Sequence, residues 1–258
     1  MTTPVRDPRD RFTERVENYV RYRPGYPSEI VQHLLKLLPG RFQPVIADVG
    51  AGTGIFTRIL LEKGCSVISV EPNRAMRLEA EKALQHIPGF SSVEGEAVRT
   101  TIDDSTVDAV TAAQAFHWFA NREAVEEFNR ILQPNGVVLL TWNDRRVDTD
   151  RFHREYEELL VRYCTDYSSV TQTNITGDTI VELFDGWECS TLNLANRQDL
   201  DFLSLKGRLE SSSYCPDPAD ENYRIVMARL GELFERENRG GVIGMEYVCR
   251  AYYLTRRK

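Results

Sequence analysis

The sequence predicts an α/β fold: a seven-stranded, mostly parallel sheet with helices on both faces and a helical cap. Three observations predict it. Short apolar runs alternate with segments of helical period from Val45 to Trp142. That rhythm breaks after Trp142 into longer helical segments. Two more strand-like runs, "WECSTLNLANRQ" and "EYVCRAYYL", are expected to extend the sheet at one edge. Strands alternating with helices imply parallel pairing through right-handed crossovers.

Each element has its own signal. The opening "MTTPVRDPRDRFTERVENY" is charged and reads as a helix, followed by the Pro/Gly loop "RYRPGYP". Ser28 is the expected N-cap of the amphipathic "EIVQHLLKLL", which stops at "PG". "VIADVG" is an apolar strand, and "GIFTRILLEKG" repeats apolar residues at helical spacing until Gly64. "CSVISVE" and "NRAMRLEAEKAL" form the next strand and helix. "FSSVEGEA" suggests a third strand before the polar turn "DDST". "VDAVTAAQAF", "NREAVEEFNRIL" and "GVVLLTW" read as strand, helix and strand. Beyond them, "FHREYEELLVRYC", "DLDFLSLKGRLESSSY" and "ENYRIVMARLGELFEREN" read as helices. These are expected to cap the C-terminal end of the sheet, the end where open α/β sheets hold ligands. The expected organisation is N-terminal helices and a lid over 1–40, a ligand-binding core over 41–145, and cap helices with the last two strands over 146–258. Together they make one compact domain.

Composition narrows the function. The 258 residues are 41% hydrophobic and 28% charged, enough for one large core. A net charge of −7 argues against a partner that is a nucleic acid. The terminal "TRRK" reads as a solvated tail. Cys65, Cys164, Cys189, Cys215 and Cys249 form no CxxC pair, and His33, His86, His117 and His153 are scattered. No metal is expected from such spacing. The cysteines read as reduced and the compartment as cytoplasmic. The opening residues lack the apolar run of a secretion signal, and no segment reads as a membrane span. "NIT" at Asn174 fits a glycosylation triplet but has no meaning without secretion.

The stretch "VIADVGAGTGIF" carries the chemistry. Gly50, Gly52 and Gly54 alternate after a strand, so a ligand can approach the backbone closely. A phosphate-cradling GxxxxGK[ST] loop is absent. A dinucleotide GxGxxG loop would need glycine at Ile55. Asp48 at the mouth is a poor neighbour for phosphate but suits a cation. Glu71 ends the second strand, where an acid can accept both hydroxyls of a ribose.

The DxGxGxG pattern resembles the loop of class I S-adenosylmethionine-dependent methyltransferases. "AQAFHWF" and "YRPGYP" resemble the type-11 small-molecule branch, which includes trans-aconitate methyltransferase-like enzymes. The likeness is close over Tyr19 to Trp142 and looser beyond. It implies a Rossmann-like core that binds S-adenosyl-L-methionine, yields S-adenosyl-L-homocysteine and uses no metal. It implies a cofactor pocket made from Asp48, Gly50, Ala51, Gly52, Gly54, Glu71, Pro72, Asn73, Met76, Glu96, Ala97, Gln114, Ala115, His117 and Trp118. Tyr19 and Arg23 would close over it, and Phe119 is a further aromatic for the sulfonium. The motifs of base-amine, catechol, cytosine-ring and arginine methylases are absent.

His117 has three open roles: general base, wall of the cofactor pocket, or packing. Tyr26, Trp142, Asn143, Arg145 and Tyr214 are the expected acceptor-pocket residues, with Ser213 and Arg146 beside them. The arginines would clamp an anion. Without an unambiguous base the expected acceptor atom is oxygen, in a carboxylate or hydroxyl, since a carboxylate is nucleophilic at neutral pH. The expected partner is a small-molecule methyl acceptor, with no nucleic acid and no membrane, for a monomer or homodimer. Three alternatives stand beside this: an S-adenosylmethionine-binding protein without catalysis, an amine acceptor, and a nicotinamide oxidoreductase.

Overall fold

The computed structural model describes residues 15–38, 40, 42–164, 167 and 175–257. The expected helix before Arg15, the triplet at Asn174 and the terminal Lys258 lie outside the described residues. In chain order the strands are β1 (Val45–Val49), β2 (Ser66–Val70), β3 (Phe90–Val93), β4 (Val107–Ala113), β5 (Leu132–Arg145), β6 (Trp187–Leu200) and β7 (Ile243–Arg256). The helices are α1 (Val16–Tyr22), α2 (Glu29–Lys36), α3 (Ile55–Glu62), α4 (Arg74–Leu84), α5 (Arg122–Ile131), α6 (Arg151–Tyr163), α7 (Gly177–Leu183), α8 (Phe202–Glu210) and α9 (Glu221–Glu237).

The sheet has seven strands in the order β3-β2-β1-β4-β5-β7-β6. The five strands β1 to β5 pair in parallel. β7 runs antiparallel to both of its neighbours. The reason is where the chain enters it. β6 leads into α8 and α9, and β7 begins beside the end of β6, with Leu200 paired to Ile243. A strand that starts where its neighbour stops must run back down the sheet.

Alternation along each strand sorts side chains to two faces. Ala47, Val110, Val138, Leu140, Tyr252 and Leu254 pack with α5 and α7 on one face. Ile46, Ala109, Val137, Leu139, Ala251 and Tyr253 pack with α2 and α3 on the other. A third cluster joins α6, α8 and α9 to the ends of β6 and β7 through Tyr156, Leu205, Leu230, Met245 and Tyr247. Helix starts are fixed by short polar caps. Asn73, Asn121, Asp150 and Asp201 each accept the backbone N–H three residues on.

Several boundaries differ from the sequence reading. Ser28 makes no cap bond, because its backbone is already helical (φ −64°, ψ −20°). β3 stops at Val93: Gly95 turns against Thr100, where a Cβ would lie 2.8 Å from the carbonyl oxygen. β5 begins four residues before Gly136, since Val107 pairs with Leu132 and Ala109 with Val137 across a bulge. α8 begins only after the Asp201 cap. α7 has no counterpart in the sequence reading. It is one short helix capped by Thr176, and its Ile180 is buried against the sheet rather than in the cap.

Candidate active site

Residues from the ends of β1, β2, β4 and β5 meet the N-terminal loop and α8 around one cavity of about 410 Å³. That volume suits a small-molecule site. The glycine loop forms its floor. Gly52 takes φ +59°, and only the Met76 sulfur, at 3.8 Å, lies near the place of its missing Cβ. Gly50 is closer-packed, since a Cβ there would meet Ala115 at 2.7 Å. Gly54 does not line the cavity. It is the left-handed N-cap of α3, and a Cβ would lie 2.6 Å from Leu84. Gly54 thus packs the start of α3 closely against Leu84 and Ala80 of α4.

Two acids stand beneath the loop. The Glu71 carboxylate accepts the Gly52 N–H and the Asn73 N–H, each at 2.9 Å. It thus ties the loop to the end of β2 and leaves further lone pairs for a ligand. Burial raises its pKa, against those two hydrogen bonds and the Arg77 charge. Asp48 is 1% exposed and accepts hydroxyls from Thr57 at 2.6 Å and Thr111 at 2.7 Å. Among the described residues no cation pairs with it, and burial pushes its carboxyl up to about 6. Glu96 is exposed at the rim.

Strain marks the opposite wall. Gln114 follows β4 with φ +54°, a left-handed conformation rare outside glycine. Its N–H reaches Thr141 O and its side chain accepts the Asn143 N–H, each at 2.8 Å. Asn143 in turn donates to Gly25 O at 3.0 Å, and Asn196 donates to the same oxygen at 2.8 Å. Arg23 donates to Ser211 O at 2.9 Å and lies over the Tyr19 ring at 4.8 Å. Tyr26 meets Phe56 edge-on at 5.1 Å. The loop between α1 and α2 is thereby pinned to β5, β6 and α8.

Of the expected cofactor residues, Tyr19, Arg23, Asp48, Gly50, Ala51, Gly52, Glu71, Pro72, Asn73, Met76, Glu96, Ala97, Gln114, Ala115 and Trp118 line this cavity. His117 does not. The Trp142 indole N–H donates to its Nδ1 at 3.2 Å, which leaves the proton on Nε2. Burial and the Arg23 charge lower its pKa to about 4. Both facts make it a poor base.

Of the expected acceptor residues, only Tyr26 and Asn143 reach the cavity. Trp142 is 2% exposed and packs edge-on against Tyr252 in a sheet core. Adjacent strand residues face opposite ways, so Asn143 and Trp142 do not share a wall. Arg145 pairs with Glu157 and lies over Tyr156 at 4.8 Å beneath α6. Tyr214 packs against Tyr167 in the cap. Arg146 lines a separate surface groove with Asn196 and Arg197.

The sequence reading passed over Phe56, Asn121 and Arg208, which also line the cavity. Arg208 had one available signal. It follows Gly207 inside α8, and a glycine within a helix marks a close approach. Gly207 lies against the Tyr22 ring of α1, where any Cβ would collide.

The sheet order, the bare loop and the acid ending the adjacent strand are similar to those of class I S-adenosylmethionine-dependent methyltransferase domains. Residues 47–140 match the family model described as a methyltransferase domain. An uncharacterized methyltransferase of Mycobacterium tuberculosis is 39% identical over 145 residues, covering 56% of this chain and 57% of that protein. An uncharacterized methyltransferase-like protein of Schizosaccharomyces pombe is 35% identical over 159 residues, 61% of this chain and 60% of that one. The chain thus spans less than two thirds of the length of these curated relatives. A provisionally assigned type II methyltransferase from Anaeromyxobacter dehalogenans aligns with TM-score 0.65 at 20% identity, covering 92% of this chain and 98% of that one. Phosphoethanolamine N-methyltransferase 2 of Haemonchus contortus, solved with S-adenosyl-L-methionine, aligns with TM-score 0.60 at 13% identity, covering 98% and 59%. At these identities the solved structures speak for the fold. Among the described residues no group of His, Cys, Asp and Glu could hold a metal ion, and no helix is long and apolar enough to cross a membrane.

Proposed function

We propose that this chain transfers a methyl group from S-adenosyl-L-methionine to oxygen on a small-molecule acceptor, within the type-11 small-molecule branch. One observation carries the reading. A carboxylate buried without a cation, Asp48, stands beside an open glycine loop and a second acid, Glu71, in one cavity. A buried acid lacking a counter-charge is costly unless a ligand supplies it. The residues fit the cofactor. Asp48 suits an ammonium, the Gly52 loop and the start of α3 suit a carboxylate, and Glu71 retains lone pairs for ribose hydroxyls. Met76 and Ala97 offer apolar walls for a base, with Glu96 at its edge.

When bound, the cofactor supplies a methyl group on a positively charged sulfur. The chain's own task is to align the acceptor and exclude water, which proximity makes worth about 7–11 kcal/mol. Among the described residues no histidine or lysine lines the cavity. An acceptor that is already nucleophilic, such as a carboxylate, needs neither.

Calorimetric titration tests the reading, with S-adenosylmethionine, S-adenosylhomocysteine and NAD as ligands. Micromolar binding of the first two and none of NAD is expected. Methyl transfer is then assayed on carboxylate and phenol acceptors. Failure of both sulfur ligands to bind folded protein would overturn the assignment. Binding without turnover on any acceptor would leave a cofactor-binding protein in its place.

A further inference from the structure

The cavity is acidic on one side and basic on the other. Asp48 and Glu71 lie at the glycine loop, while Arg23 and Arg208 come from the N-terminal loop and from α8. The two arginines are unusual in their partners. Arg208 is 7% exposed, and its Nη1 donates to Ser212 Oγ at 3.0 Å. Its Nε is buried without any partner, as is the Nε of Arg23. Burial, and then the Arg208 charge, lower the pKa of Arg23, while the surrounding phenols raise that of Arg208. Around them stand phenols, Tyr19, Tyr214 and Tyr247, rather than carboxylates. The nearby acids are engaged elsewhere. Glu157 pairs with Arg145, and Glu210 takes Lys206, Tyr223 and Asn18.

Two buried guanidinium groups that, among the described residues, have no carboxylate partner are held at a cost that an incoming anion would offset. We infer that Arg208, supported by Arg23, binds an anionic group of the methyl acceptor that is distinct from the atom methylated. This rests on the methyl-transfer reading and deepens it. The separation of the two groups follows from charge. In the transfer, an oxygen–carbon bond forms as the carbon–sulfur bond breaks, and the electron pair stays on sulfur. An anionic oxygen that takes the methyl loses its charge on the way. A guanidinium paired to that oxygen would hold the ground state more tightly than the transition state and slow the step. A guanidinium paired to a second, unreacting anion holds both equally. Arg208 is thus a specificity residue. It selects acceptors with two functional groups, an anchor that keeps its charge and a nucleophile that does not.

The probe is glutarate, with neutral glutaramide as its uncharged counterpart, titrated into protein saturated with S-adenosylhomocysteine. Glutarate is expected to bind at least tenfold more tightly than glutaramide, and monomethyl glutarate within about threefold of glutarate. Arg208→Met should lose tenfold or more for glutarate while S-adenosylhomocysteine affinity stays within twofold. Its melting temperature should not fall, because an uncompensated buried charge has been removed; a purely structural arginine would lower it. Equal binding of glutarate and glutaramide by wild-type protein, or binding of neither, overturns the inference without any variant. So does loss of S-adenosylhomocysteine affinity in Arg208→Met with glutarate unchanged, which would assign the anion to the cofactor's own carboxylate. Should S-adenosylhomocysteine fail to bind wild-type protein, the methyl-transfer reading falls by itself, and glutarate against glutaramide on the free protein still decides the anion site.

Discussion

At Asp48 and Glu71 the chain keeps two acids where burial opposes their charge. Asp48 titrates near 6 because burial outweighs the hydroxyl bonds from Thr57 and Thr111. It is charged above that pH and neutral below it, so its attraction for a ligand ammonium is present at about pH 8 and lost as pH falls through about 6. S-adenosylhomocysteine affinity should fall by up to about tenfold between about pH 7 and about pH 5, and Asp48→Asn should flatten that profile. A flat wild-type profile in calorimetry would remove Asp48 from the ammonium site. Glu71→Ala should weaken the same ligand by about 1–3 kcal/mol, the scale of hydrogen bonds to a charged group. Unchanged affinity in a folded variant would show that Glu71 serves only the Gly52 loop. These acids were legible in the sequence because each sits at a strand end fixed by local pattern. Arg208 was not, since its neighbours come from the far strand β7 and from the cap, and Gly207 marks a close approach of α8 to α1 without marking which charge turns inward.

The elements divide the same way. Strands and helices from Val45 to Trp142 declare themselves through periods of two and of 3.6, which depend only on near neighbours. α7 did not, because seven residues with one buried side chain, Ile180, carry too little pattern to separate from a loop. Trp142 and Asn143 part for a related reason: neighbouring residues of a strand belong to opposite faces, and of the two only Asn143 faces the cavity. The pinning of the α1–α2 loop gives two element-scale expectations. Asn143→Ala removes a bond to Gly25 O and should speed amide exchange over residues 19–26 while exchange in β1 and β4 stays unchanged. Equal rates in both regions would detach the loop from β5. Gly207→Ala should press α8 away from the Tyr22 ring and cost about 1–3 kcal/mol in chemical denaturation, as overpacking does.

Over the whole molecule, the half proposed for the cofactor and the half proposed for the acceptor are built differently. The first hangs on five parallel strands, and the second on the α8–α9 insert between two antiparallel ones. A ligand held by both should stabilise both. At a hundredfold excess over its dissociation constant, S-adenosylhomocysteine should add about 2.7 kcal/mol to unfolding. A thermal scan in which only one of two transitions moved would show the halves melting apart. β6 lies outermost, and among the described residues it pairs with β7 alone, over fourteen residues. Its outer edge, unpaired among the described residues, is a long row of backbone donors and acceptors, a template on which other chains can nucleate. Its exposed positions include the charged Glu188, Arg197 and Asp199, the kind of residue that guards an edge against pairing. Neutralising Arg197 and Asp199 together would therefore be felt first in shelf life and concentration limit, as light scattering that grows with time, while S-adenosylhomocysteine affinity of the cavity at the ends of β1, β2, β4 and β5 stayed unchanged.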